Sequence, residues 1–238
     1  MCRPRSSCQR RSACATAWHD GSAHVPDAPP LMSAGRPVNS DSGTETFRRA
    51  LADLQDALGA TAEARPELTF EREPPPRRLA PFATAVAVTV AGDEDAEIAG
   101  GRFVLLFDPA EQPGWDGKFR VIGYVRAELE PEMAADPLIN AVGWSWLTEA
   151  LDNRDAQYQN VSGTVTTVVT QGFGSKQDEP LSTEFELRAS WSPVSETDLP
   201  DLARHLTAWC DALCSAAGLP PLPPGVAPLR PPRRRQRP

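Results

Sequence analysis

The stretch that most restricts the possible folds runs from Gly101 to Leu151, GRFVLLFDPAEQPGWDGKFRVIGYVRAELEPEMAADPLINAVGWSWLTEAL. Within it Arg102–Phe107 is apolar on both faces, as a strand with neighbours on either side must be. Phe119–Leu129 then alternates. Phe119, Val121, Val125, Ala127 and Leu129 share one face, while Arg120, Ile122, Tyr124, Arg126 and Glu128 share the other. Half-apolar alternation of this kind predicts an antiparallel sheet with one face covered and the other partly wet. Asp136-Pro137 reads as the N-cap and first residue of a helix. Ile139, Val142, Trp146, Leu147 and Ala150 form that helix's apolar stripe, and Trp144 points off it.

The rest of the chain extends this pattern. Ser42 and Glu45 have capping-box spacing before Phe47, Ala50, Leu51, Leu54 and Leu58, with Gly59 as the stop. Glu67–Arg72 is a short strand ended by PPPRR. Phe82–Val90 sets Phe82, Val86, Val88 and Val90 against a small face of Ala83, Ala85 and Ala87, which lets something approach the alanines closely, most simply a helix. Residues 91–101 are acidic and turn-forming. Gly163–Gln171 is β-branched, Gly172–Pro180 is a hairpin loop, and Leu181–Trp191 returns with Leu181, Phe185, Leu187, Ala189 and Trp191 inward. The last helix is expected from Asp198, with stripe Leu199, Leu202, Leu206, Trp209 and Leu213, to Gly218. The order is α-β-β-β-β-α-β-β-α, an α+β domain: a mostly antiparallel sheet of about six strands covered by helices.

This domain is expected over residues 42–218. Residues 1–41 are expected to be a disordered extension, with Met32 as the true start, and residues 219–238 a disordered Pro/Arg-rich tail. The chain carries a net charge of −8, and residues 32–229 hold 30 acidic against 15 basic residues. Such a surface repels phosphate backbones, so no direct nucleic-acid binding by the folded part is expected. No apolar run approaches the roughly 18 residues that span a bilayer, and residues 1–31 lack a secretory core, so no membrane association is expected. Cys210 and Cys214 are the only cysteines of the predicted domain. They read as buried free thiols, without a disulfide framework, in a reducing and hence cytoplasmic compartment.

Several words in fixed order carry a family resemblance: GRFVLLFDP, then Trp115-x-Gly117-x-Phe119-Arg120, VRAELEPEMAADPL at Val125–Leu138, VGWSWLTEAL at Val142–Leu151, LRASWSP at Leu187–Pro193 and AWCDALC at Ala208–Cys214. The chain from about Thr44 to Gly218 resembles the actinobacterial family catalogued as domain of unknown function 3000. The resemblance implies a cytoplasmic bacterial protein and no particular activity. Nothing in residues 1–31 matches it, which agrees with a start at Met32.

Catalytic signatures are sparse. His205 is the only histidine after Met32, no G-x-S-x-G elbow precedes it, and Gly172-Phe173-Gly174-Ser175 lacks both the spacing and the following helix of a phosphate loop. The wet sheet face offers more. Arg120, Tyr124 and Arg126 lie on one strand and Arg188 lies beside Glu184 and Glu186 on another. If the two strands are near each other, these residues form a charged cluster with an aromatic platform that suits a carboxylate-bearing or phosphorylated ligand, or an acidic segment of a partner, against the plainer alternative of cross-strand ion pairing. Trp115 and Trp144 are expected to be exposed beside them as contact anchors. The expected function is therefore a non-catalytic protein- or ligand-binding (adaptor) domain without a cofactor, its partner a protein or a small anionic ligand. The alternative is a divalent-metal-dependent hydrolase with Asp108, Glu128 and Glu130 as ligands.

Overall fold

A computed structural model describes residues 40–92 and 97–219. The expectations for the N-terminal extension with its start at Met32, for the core of the acidic turn and for the Pro/Arg-rich tail lie outside the described residues.

Among the described residues six antiparallel strands form one sheet in the order β1-β2-β3-β4-β6-β5. They are β1 (Leu68–Glu73), β2 (Phe82–Ala91), β3 (Glu97–Phe107), β4 (Phe119–Glu128), β5 (Tyr158–Thr170) and β6 (Ser182–Pro193). The helices are α1 (Ser40–Ala64), the short α2 (Pro131–Ala134), α3 (Ile139–Asn153) and α4 (Leu202–Ala216). This is the expected α+β architecture in the expected order, with α2 added.

The three long helices pack on the face that carries Val86, Val88, Leu105, Val121, Val125, Leu187 and Trp191, all buried in one continuous core. α4 contributes Leu202, Leu206, Trp209 and Leu213, each at most 1% exposed. Burying an aliphatic side chain of this size contributes roughly 1.5–3 kcal/mol, so the face alternation read from the sequence is also the main source of stability.

Five local expectations are corrected. α1 starts at Ser40, before the proposed capping box, and runs through Gly59 to Ala64 because Ala57 and Thr61 continue its buried face. β3 begins at Glu97 and not at Arg102: Gly100 and Gly101 pair with Arg126 and Val125 and are ladder residues, not turn residues. Asp136 caps a tight turn, its Oδ1 accepting the Leu138 amide at 2.8 Å, and α3 starts after it at Ile139. Val142 is 41% exposed while Gly143 is buried, because the Phe185 ring occupies the space where a side chain at 143 would go, 2.4 Å from that Cβ position. α4 is capped by Asp201, not Asp198, through the Arg204 amide at 3.3 Å.

The alanine face of β2 is also covered differently. Among the described residues no helix contributes to the core there. Ala85, Val104 and Leu106 make a second small core on the opposite side of the sheet, closed by Ala80, Ala83, Trp115 and Ile122. The links β1–β2 and β3–β4 therefore fold over one end of the face that the helices leave open.

Candidate functional site

The open face is built by register. Arg102, Tyr124, Arg188 and Thr164 lie in one row across β3, β4, β6 and β5, with Arg126, Glu186 and Thr166 in the next row and Ile122, Ser190 and Ser162 in the row on the other side. Tyr124, Arg126 and Arg188 are thus brought together. Their charges are largely balanced: the Tyr124 hydroxyl donates to Glu186 at 2.9 Å, Arg188 donates to the same carboxylate at 2.9 Å, and Arg126 pairs with Glu184. The Arg188 guanidinium sits 5.6 Å from the Tyr124 ring centroid, within cation–π reach. Burial, with the Glu186 hydrogen bond, pushes the Tyr124 phenol up to about 12, so it stays a donor at any physiological pH.

Arg120 differs from its neighbours. Its guanidinium donates to the Ser190 hydroxyl at 2.6 Å, the Ser192 hydroxyl at 3.1 Å and the Asn160 carbonyl at 3.0 Å, all uncharged acceptors. It is half-buried, and desolvation lowers its pKa. Guanidinium remains charged even so, because its ordinary value lies so far above neutrality. The Asn160 carbonyl reaches it because β5 carries a bulge between Gln159 and Ser162, where Asn160 takes a left-handed φ of 51°. The Asn160 and Gln159 side chains in turn hold Asp116, which fastens the β3–β4 link to β5. The same link is tied at its other end, where Gln112 donates to the Leu79 carbonyl at 2.9 Å and to Asp108 at 3.0 Å.

Between this link and the sheet lies a groove of about 500 Å³. Trp115 and Leu79 wall it, Leu106 and Ile122 line it, and Arg120 and Arg188 supply its charge. Three of the six residues singled out in the sequence therefore share one concavity. Sequence reasoning missed Ser190, Ser192 and Asn160, which aim Arg120. The serines on the strand facing it were the one available signal.

Trp144 does not belong to this site. It lies on the helix-covered side, half-buried, its ring 2.7 Å from where a Cβ on Gly163 would stand. Trp115, half-buried on the open side, is the tryptophan of the groove. The three carboxylates of the hydrolase alternative are also dispersed. Asp108 follows β3 and caps the Ala110 amide at 2.9 Å, whereas Glu128 closes the other end of β4 and Glu130 precedes α2. At ~3.3 Å per residue, the length of β4 alone separates Asp108 from Glu128 by roughly 30 Å. Among the described residues no three His, Cys, Asp or Glu are placed to hold one metal ion.

Cys210 and Cys214 are buried, as expected. Burial pushes Cys214 up to about 12 and Cys210 well above its ordinary value, so both stay protonated and unreactive at neutral pH. His205 is buried too, and its Nδ1 accepts the Trp191 indole N–H at 3.2 Å. Among the described residues no helix is long and apolar enough to cross a membrane.

The family model described as Protein of unknown function (DUF3000) matches residues 43–227. No curated protein and no solved structure matches the chain.

Proposed function

We propose that this chain, which belongs to the DUF3000 family of proteins of unknown function, is a non-catalytic binding domain whose open sheet face takes a small anion with a flat apolar body. One observation carries the reading: a half-desolvated guanidinium, held among the described residues by neutral acceptors only, lies at the side of a roomy groove that an indole also lines. Leaving a cation partly out of water without a counter-charge costs free energy, which an incoming carboxylate or phosphate would recover. Arg120 is held in one orientation by three hydrogen bonds, so little side-chain entropy would be lost on binding. Arg188 adds a second positive charge, and the Trp115 and Ile122 surfaces would take the apolar body. The dispersed carboxylates give the hydrolase alternative no comparable support.

Titration calorimetry and tryptophan fluorescence with phenyl phosphate, benzoate and inorganic phosphate test it. Phenyl phosphate is expected to bind more tightly than inorganic phosphate and to perturb Trp115. Arg120→Gln should weaken it by about tenfold or more, the value of a charge-assisted hydrogen bond. Arg126→Gln, whose guanidinium is already paired with Glu184, should change it little. Equal affinity of Arg120→Gln and wild type, with an unchanged melting temperature, would refute the assignment.

A further inference from the structure

Among the described residues the sheet has two edges, β1 and β5, and they are built in opposite ways. β1 is six residues long and carries Glu71, Arg72 and Glu73, the charges that keep natural edges from pairing with foreign strands. β5 is the longest strand, with 13 residues, none of which is buried. From Ala156 to Ser175 the chain runs through 20 residues without a charge or a proline. The other uncharged strand, β2, has a strand on each side of it. β5 therefore has the sequence of an interior strand at an edge position. Val168 and Val169 near its end are 43% and 54% exposed, and Phe173 just beyond it is 76% exposed.

We infer that β5 is the edge through which two copies of this chain join their sheets. An unpaired strand edge presents alternating N–H and C=O groups whose natural complement is another strand. Charge selects a second copy as that strand. Residues 32–229 carry twice as many acidic as basic residues, so the net charge of this part opposes its approach to a second copy. The Ala156–Ser175 band is long and uncharged, and an acidic chain can meet itself there without opposing like charges. An oppositely charged partner would have no use for a neutral seam. Antiparallel self-pairing is also two-fold and closes on itself, so it yields a dimer and not a fibre. The bulge between Gln159 and Ser162 limits the pairing segment to Ser162–Thr170. Full overlap of that segment with its copy places the two-fold axis at Thr166, which then faces Thr166 of the second copy.

Sedimentation equilibrium of the full chain, from low micromolar to submillimolar concentration, tests this together with hydrogen exchange at both ends of the range. The expected result is a monomer–dimer equilibrium in which amides of residues 162–170 exchange more slowly at high concentration and those of β1 do not. Thr166→Lys sets two ammonium groups opposite each other and should raise the dimer dissociation constant by about tenfold or more, with an unchanged circular dichroism spectrum. A chain that stays monomeric throughout, or a dimer whose β5 amides exchange equally fast at both concentrations, overturns the inference. The wild-type exchange data decide the matter even if the lysine variant fails to fold.

Discussion

Trp209→Ala is expected to lower the unfolding free energy by about 3–5 kcal/mol, a large share of the ~5–15 kcal/mol that holds a typical domain together. The indole is fully buried and lies across two strands at once. A Cβ at Gly101 of β3 would stand 2.7 Å from its ring, and one at Gly123 of β4 would stand 2.8 Å from it. Phe103 flanks it, with ring centroids 5.6 Å apart. The two glycines thus form a pit in the sheet that receives the residue anchoring α4. The reverse substitution should hurt as well: Gly101→Ala forces a methyl to within 2.5 Å of the Tyr124 carbonyl oxygen, a backbone atom that cannot step aside. We expect it to cost about 1–3 kcal/mol. Urea denaturation of the three proteins measures both effects. A Trp209→Ala loss below 1 kcal/mol would show that the helix does not depend on this contact.

The same pit marks where the sequence stopped being readable. Alternation identified the buried faces of β2, β4 and β6, because a period of two in apolar residues has one simple explanation. It skipped position 123, where a glycine interrupts the apolar series of β4, and it assigned Gly101 to a turn. Glycine within a strand signals close approach of something bulky as readily as it signals a bend, and only the partner distinguishes the two. Trp209 stood on the expected stripe of the last helix, yet nothing local tied it to Gly101 and Gly123. The candidate site was legible to the same extent. Spacing put Arg120, Tyr124 and Arg126 on the wet side of one strand and Arg188 on that of another, and only the topology makes the two strands neighbours. That Arg120, unlike Arg126 and Arg188, meets neutral acceptors among the described residues depends on the β5 bulge and on which serines oppose it, and that Trp144 lies on the far side of the sheet depends on how α3 crosses β5. Those are facts of packing between distant segments.

The second large effect is expected on acidification. Burial holds His205 down to about 4 from its ordinary 6.5, against a smaller opposing influence of Asp201. The unfolded chain takes up this proton first, near pH 6.5, while the folded chain keeps the imidazole neutral and able to accept the Trp191 N–H. The contribution of His205 is therefore fully present above 6.5, falls as the pH drops towards 4, and changes no further below it. Its full extent is on the order of 3 kcal/mol. Melting temperatures between pH 8 and 4 for wild type and His205→Gln measure it, since the carboxylates titrate alike in both. The wild type should lose stability more steeply between 6.5 and 4. Parallel curves would mean that the imidazole reaches solvent more easily than its burial implies.

The groove is made of two kinds of structure, and that division has an evolutionary consequence. Its charged side belongs to the sheet itself, where Arg120 of β4 is held by Ser190 and Ser192 of β6 and by the Asn160 carbonyl of β5. Its Trp115 wall belongs to a surface link fastened by side-chain hydrogen bonds from Gln112, Gln159 and Asn160. Substitutions between Asp108 and Lys118 would reshape the wall while leaving the strand residues of the groove in place. On the reading proposed above, change confined to this single eleven-residue link would alter which apolar body fits beside the charge and leave Arg120 in place.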